Sequence, residues 1–178
     1  GVHHDGPKNG IVKLMVNPEK PKAVDGVIKA LEKADIIVLG PGSLYTSIIP
    51  NLLVDGVVDA IKKSKAVKIY VCNIMSQAGE TENYTVSDHL AAIERHSYEG
   101  IADIVIANNA IIPESLRIKY ASEHAREVMI DSINVLKRAK LVQGNLLLVR
   151  NDKIRHNFSR LARTIMRLGS DVNYFENK

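Results

Sequence analysis

Two polar runs hold most of the groups in this chain that could contact a ligand. The first is Gly40-Pro41-Gly42-Ser43-Leu44-Tyr45-Thr46-Ser47. Its glycines let backbone approach a bound group closely, and Ser43, Thr46 and Ser47 add hydroxyls. A helix following such a turn contributes free N–H groups and the positive end of its dipole. That is anion-binding chemistry. The run has neither the Gly-Lys-Ser/Thr of a Walker loop nor the three glycines of the dinucleotide fingerprint. A tight strand-to-helix turn accounts for the same residues. The second run is Cys72-Asn73-Ile74-Met75-Ser76-Gln77-Ala78-Gly79-Glu80-Thr81. Asn73 and Gln77 can each donate and accept, which suits a nucleobase edge or a sugar. Glu80 is a candidate base or metal ligand. A solvated loop is the plain alternative, although loops this long are usually functional. Cys72 has no histidine or base beside it in sequence and reads as a buried strand residue.

Three weaker constellations follow. Asn108-Asn109 closes an apolar run, where a left-handed turn explains the pair almost as well as ligand contact. His89 and His96 stand seven apart on one helix face, with Asp88 beside them. Zinc helices usually space ligands by four, and neither HExxH nor CxxC occurs, so metal ligation by this pair is not expected. His3-His4-Asp5 reads as a terminus rather than a metal site. Arg155-His156-Asn157 precedes a helix on which Arg160, Arg163 and Arg167 share one face. That face is either a nucleic-acid stripe or, more ordinarily, solvated. Arg155 stands apart from it and can offer its guanidinium fork to a phosphate.

These residues need elements to position them, and the hydropathy pattern supplies a cycle. Residues 11–16, 36–39, 67–71 and 104–107 are short β-branched runs. Apolar positions at three- and four-residue spacing lie between them. Helices are expected from about 24 to 31, from near Pro50 through Leu53, Val57, Val58 and Ile61, over 86–95 with Thr85 or Ser87 as cap, and over 114–123. Residues 128–130, 140–143 and 146–149 read as shorter strands and 158–168 as a last helix. Alternation of this kind implies right-handed crossovers and a mainly parallel sheet. The loops after Leu39, Val71 and Ala107 would then share one sheet edge, where ligands bind in such folds.

Composition sets the outer limits. The chain has 178 residues, 46% of them hydrophobic and 25% charged, a globular balance. One cysteine, Cys72, leaves no internal disulfide to form and points to a reducing compartment. The net charge of +4 is mild, and aromatics at 4% are too few for a base-stacking platform. No apolar run approaches a membrane span. Neither nucleic acid nor membrane is therefore expected as a partner.

The run 34–54, Ala-Asp-Ile-Ile-Val-Leu-Gly-Pro-Gly-Ser-Leu-Tyr-Thr-Ser-Ile-Ile-Pro-Asn-Leu-Leu-Val, resembles the YvcK-type gluconeogenesis factors of the CofD-like superfamily. So does 71–81, followed by Tyr84, Ser87, Asp88 and His89; the likeness spans roughly residues 10–170. CofD transferases carry a Gly-Pro-Ser-Asn-Pro type of loop where this chain has Gly40 to Leu44. Ser76, Ala78 and Asn157-Phe158 depart from residues common in the family. The resemblance implies a cytoplasmic, Rossmann-like (CofD-like) three-layer α/β fold with a mainly parallel sheet. It implies a regulator that binds UDP-sugars such as UDP-N-acetylglucosamine and is linked to cell shape and wall synthesis. It also implies a ligand crevice built by Gly40, Gly42, Ser43, Thr46, Ser47, Asn73, Met75, Gln77, Glu80, Asn108, Asn109, Tyr120 and Arg155. Tyr120 would stack on uracil or sugar, and Arg155 would clamp the diphosphate. No catalytic residue and no metal ligand is assigned. The rival implied by CofD relatives is a transferase moving a phospholactyl-type group from a nucleotide diphosphate donor, with magnesium. The family's glycine-rich opening strand turn and Asp-Asp-Gly-Gly-Ser segment are absent from this sequence, and residue 1 is Gly. The chain is thus expected to be one α/β domain, 1–178, forming the C-terminal portion of a CofD-like fold. A homodimer stays open.

Overall fold

The computed structural model describes residues 2–4 and 11–176. β1 (Val2–His4) and β2 (Ile11–Leu14) form an antiparallel pair. The side chains of His3, His4 and Asp5 lie outside the described residues.

α1 (Val27–Lys33) leads into β3 (Ile36–Leu39). α2 (Ile49–Leu52) and α3 (Val57–Lys63) precede β4 (Val67–Val71), and α4 (Val86–Arg95) precedes β5 (Ile104–Asn108). α5 (Glu114–Ser122) and α6 (Ser132–Leu136) precede β6 (Lys140–Gly144). The four strands β3-β4-β5-β6 pair in that order and in parallel, with Ile36 opposite Val67, Ile69 opposite Ile104 and Ile104 opposite Lys140. The expected parallel sheet is present, with β6 added at its far side. An antiparallel hairpin, β7 (Leu147–Arg150) and β8 (Lys153–His156), follows, and then α7 (Phe158–Glu176).

The central strands β4 and β5 are largely apolar on both faces because both are covered. Tyr70 and Cys72 of β4 and its exit join the core beneath α3 and α4, with Ile61, Leu90 and Ile93. Val67, Ile69 and Val71 point the other way and pack with Ile104, Ile106, Leu161 and Leu168, the last two on α7. The arrangement is helix, sheet, helix. α4 begins where the spacing predicts, on Thr85. The Thr85 hydroxyl accepts from the Asp88 N–H at 3.3 Å, and the Asp88 carboxylate accepts from the Thr85 N–H at 2.9 Å.

Four expectations need correction. The helix from Pro50 is two helices, because Gly56, at φ +79°, takes a left-handed turn that a continuous helix cannot hold. Residues 128–130 are not a strand. Only one bridge, Met75 to Glu127, forms there, and Met129 is 72% exposed, so the run is not covered on two sides. The short α6 follows it at Ser132–Leu136. β8 was missed. It pairs with β7 through a tight turn at Asn151 and Asp152, both left-handed at φ +51° and +54°. α7 also runs well past residue 168.

His89 has 0% exposure. Its Nδ1 donates to the Thr85 carbonyl at 2.8 Å, which leaves Nε2 a bare acceptor without a partner. Burial holds its pKa below the ordinary imidazole value. The folded state therefore refuses a proton that the unfolded chain binds below about pH 6.5. This contribution to stability is complete above that pH and falls as the pH drops through it. We expect the urea midpoint to be lower at about pH 5 than at about pH 7.5. In His89→Phe the difference between the two should shrink; an undiminished difference would acquit His89.

Candidate functional site

The C-terminal ends of β3, β4 and β5 open on one edge of the sheet. After β3 the chain turns at Gly40, at φ +85°. A Cβ there would lie 3.0 Å from the Val71 carbonyl oxygen, so glycine is required twice over. A Cβ on Gly42 would lie 3.1 Å from the Ser47 Cβ. Leu44–Ile48 forms a single π-helical turn. The N–H groups of Ser47 and Ile48 both donate to the Ser43 carbonyl, at 2.9 and 3.0 Å. Such turns recur at functional sites. The Ser43 hydroxyl accepts weakly from the Thr46 N–H at 3.4 Å and donates to Glu80 Oε2 at 3.0 Å. Its one proton is therefore committed, and toward a ligand Ser43 presents a lone pair.

The chain leaves β4 at Cys72, whose carbonyl accepts from His156 Nε2 at 3.2 Å. Beyond it, Ser76 exchanges two hydrogen bonds with Arg126, from the Ser76 N–H at 2.7 Å and to the Ser76 hydroxyl at 2.9 Å. The Gln77 N–H donates to the Thr81 hydroxyl at 2.9 Å, while Gln77 Oε1 is enclosed without a partner. Opposite stands the β7–β8 hairpin. The Tyr120 hydroxyl accepts from the Ile154 N–H at 2.9 Å and so holds β8 in place beside Arg155.

Between these walls runs a groove of about 700 Å3. Of the residues singled out from sequence, Gly42, Ser43, Asn73, Met75, Gln77, Tyr120 and Arg155 line it. Glu80 stands behind Ser43. Gly40 and Ser47 open instead on a second, apolar groove of about 370 Å3, lined by residues of α1, α3 and β3. Thr46 is exposed and lines neither. Asn108 is 8% exposed and points into the protein. Its Oδ1 accepts from the Leu146 N–H at 3.0 Å and its Nδ2 donates to the Ala110 carbonyl at 3.1 Å. Asn109 is exposed, with its N–H on the Gly144 carbonyl. His156, Phe158, Leu161, Ala162 and Ile165 also line the groove, and sequence reasoning assigned none of them to the crevice. The last four lie on α7, where helical spacing of apolar residues signals only a core face. Phe158 is 74% exposed, and the signal for it in sequence was that Asn157-Phe158 departs from residues common in the family.

Arg155 is the one formal charge among the described residues that line the groove. Its Nη1 donates to the Ile154 carbonyl at 3.0 Å, leaving the rest of the fork available. Burial holds the His156 pKa down, and the ring stays neutral while its Nε2 donates to Cys72. Burial pushes the Cys72 thiol up to about 12, which removes it as a nucleophile. His89 is buried and packs edge-on against Tyr84, while His96, half-buried, packs edge-on against Tyr45 and its Nε2 accepts from the Leu14 N–H at 3.1 Å. Among the described residues, no three His, Cys, Asp or Glu side chains converge as a metal site would require. The arrangement can bind a polar molecule that has an anionic group at one end.

The family model for the 2-phospho-L-lactate transferase CofD matches residues 2–160. The chain belongs to the CofD family. Within it, the chain is 42% identical over 164 residues to the gluconeogenesis factor of Halalkalibacterium halodurans, covering 90% of this chain and 51% of that protein. It is 38% identical over 160 residues to the gluconeogenesis factor of Bacillus subtilis, covering 89% and 50%. A solved structure of a Bacillus halodurans protein, described as a member of the UPF0052 family, has a TM-score of 0.85 at 41% identity and covers 88% of this chain and 51% of that one. A second structure of a protein from that organism gives 0.86 at 40% identity. The resemblance drawn from residues 34–54 and 71–81 is thus shown at the level of the family. This CofD-family chain spans about half the length of the relatives it matches, in their C-terminal part.

Asn108 anchors the groove from below. Asn108→Ala should leave the Leu146 N–H buried and unpaired, a cost of about 1–3 kcal/mol. The urea midpoint is expected to fall accordingly; a variant as stable as the parent would show that water replaces the side chain.

Proposed function

We propose that the groove is part of a nucleotide-sugar site, with a UDP-sugar such as UDP-N-acetylglucosamine as ligand, in a regulatory protein of the gluconeogenesis factor type. The observation that carries this reading is a single guanidinium fork, Arg155, facing amides and hydroxyls across a partly apolar groove at the C-terminal edge of a parallel sheet. The fork suits a diphosphate. Asn73 suits a base or sugar edge, and Ser43 offers an acceptor to a sugar hydroxyl. The charge of Glu80 behind Ser43 disfavours phosphate at that end. The ligand would thus lie with its diphosphate toward Arg155 and a neutral, hydroxylated part toward Ser43. Tyr120 serves here by fixing β8, and its hydroxyl is spent on that task. A cytoplasmic setting and a link to cell shape and wall synthesis belong to the same proposal. Among the described residues no helix is long and apolar enough to cross a membrane.

A second reading, transfer of a phospholactyl-type group, is favoured by the family model that matches, a transferase by its description. The Ser43 hydroxyl with its proton on Glu80 is the one hydroxyl–carboxylate pair at the groove among the described residues. Among the described residues the carboxylate beside the groove is Glu80, and magnesium would need it together with oxygens of the donor's phosphates and water.

Calorimetry with UDP-N-acetylglucosamine decides the first reading. Arg155→Ala should weaken binding by about 1.5–3 kcal/mol, roughly ten- to hundredfold. Unchanged affinity would remove Arg155 from the site. Turnover of a deazaflavin acceptor with a phospholactyl donor would instead establish the second.

A further inference from the structure

The first thirteen residues of α7, 158–170, include Arg160, Arg163 and Arg167 and no Asp or Glu. Arg160 stands in the first turn, where the helix dipole favours an acid and opposes a cation. The three arginines share one face, and like charges at that spacing repel. Among the described residues the ion pair found is Arg138 with Glu94, and none of the three has a carboxylate partner. Among the described residues, then, no carboxylate neutralises this row of charge.

The arginines do not face open solvent alone. The turn 144–146, which closes β6, stands opposite, and with Thr164 they line a groove of about 450 Å3. Arg160 Nη1 donates to the Asn145 carbonyl at 3.3 Å, which draws its fork toward the opposite wall. Gly144 offers bare backbone there, since a Cβ on it would meet nothing within 4 Å. From Arg160 to Arg167 the helix rises about 10 Å. A lone phosphate can engage one or two forks of such a row. A chain of two or three phosphoryl groups can engage all three, with bidentate hydrogen bonds.

We propose that the arginine face of α7 is a second anion site, which binds an oligophosphate chain, either that of a nucleoside triphosphate or an inorganic one. Nucleic acid fits less well, because no aromatic side chain lines this groove and stacking has no platform. The site does not rest on the reading of the first groove. It does share a helix with it, since Phe158, Leu161, Ala162 and Ile165 line that groove from the other side of α7.

The test is calorimetry at low ionic strength with inorganic tripolyphosphate, a nucleoside triphosphate, orthophosphate and single-stranded RNA. Arg163 and Arg167 are exposed, so Arg163→Gln with Arg167→Gln should fold with a melting temperature no lower than the parent's. We expect saturable binding of tripolyphosphate, much weaker binding of orthophosphate, and a loss of roughly tenfold or more in the double variant. Equal affinity for tripolyphosphate and the triphosphate names the bare chain as ligand, and tighter binding of the triphosphate names the nucleotide; either supports the site. No saturable binding of tripolyphosphate, equal affinity in the double variant, or preferred binding of RNA would overturn it. UDP-N-acetylglucosamine affinity, measured alongside, should be the same in the double variant, so failure of one site is told apart from failure of the other.

Discussion

The packing of α7 on the second face of the parallel sheet is the contact on which the site depends. Val67, Ile69 and Val71 point away from the core that holds Tyr70 and Cys72, so β4 cannot leave either face wet. Leu161 and Leu168 close that second face, and each contributes about 1.5–3 kcal/mol by burial. Gly169 lets the helix come close, since a Cβ there would stand 2.1 Å from the Ile36 Cδ1. Once the axis of α7 is fixed, so is its first turn. The Leu161 N–H bonds the Asn157 carbonyl, and the Asn157 N–H bonds the Leu146 carbonyl. β8 must then end where it does, with His156 on the Cys72 carbonyl and Arg155 over the groove. A helix that looks like a lid on the core therefore also helps to place Arg155 at the groove.

The central sheet was legible because its strands are uniform. Three bounded apolar runs separated by helical spacing admit few arrangements, and the parallel one holds. What could not be read were elements whose cause is not local. β8 contains Arg155 and His156, residues with no strand pattern, and exists because Asn151 and Asp152 turn the chain back on β7. Residues 128–130 have the composition of a strand and no partner to pair with beyond one bridge. The break at Gly56 was visible as a glycine, but helices tolerate isolated glycines, and only the left-handed φ shows that this one ends the run.

The site shows a similar division. A motif locates residues, and the hydrogen bonds around them decide what they present. Asn73 and Gln77 follow β4 and face the groove as their place in the loop suggests. Asn108 follows β5 by the same logic, yet it turns inward, because Leu146 leaves the sheet with an N–H that needs an acceptor. Tyr120 matched a ligand-facing position by resemblance, and it lines the groove, but its polar atom serves Ile154. Ser43 looked like a donor, and the carboxylate 37 residues away makes it an acceptor. None of these assignments can be made from residue type alone, since each rests on a partner distant in sequence.

The groove acquires a direction from two residues that neither motif pairs by itself. Arg155 arrives on a hairpin after the sheet, and Glu80 arrives in the loop after β4. Arg155 lines the groove directly, whereas Glu80 acts through the Ser43 hydroxyl at 3.0 Å. A symmetric dianion would gain at one end and lose at the other. A molecule with charge at one end and hydroxyls at the other gains at both, and it does so without burying an unpaired charge. Because both contributions are electrostatic in a half-enclosed space, they act more strongly than they would on an open surface. The apolar wall supplied by Phe158, Ala162 and Ile165 adds area without changing that direction. On the proposed reading the hairpin and the β4 loop would be separate supports for one dipolar ligand, and selectivity would lie in their opposition rather than in either motif.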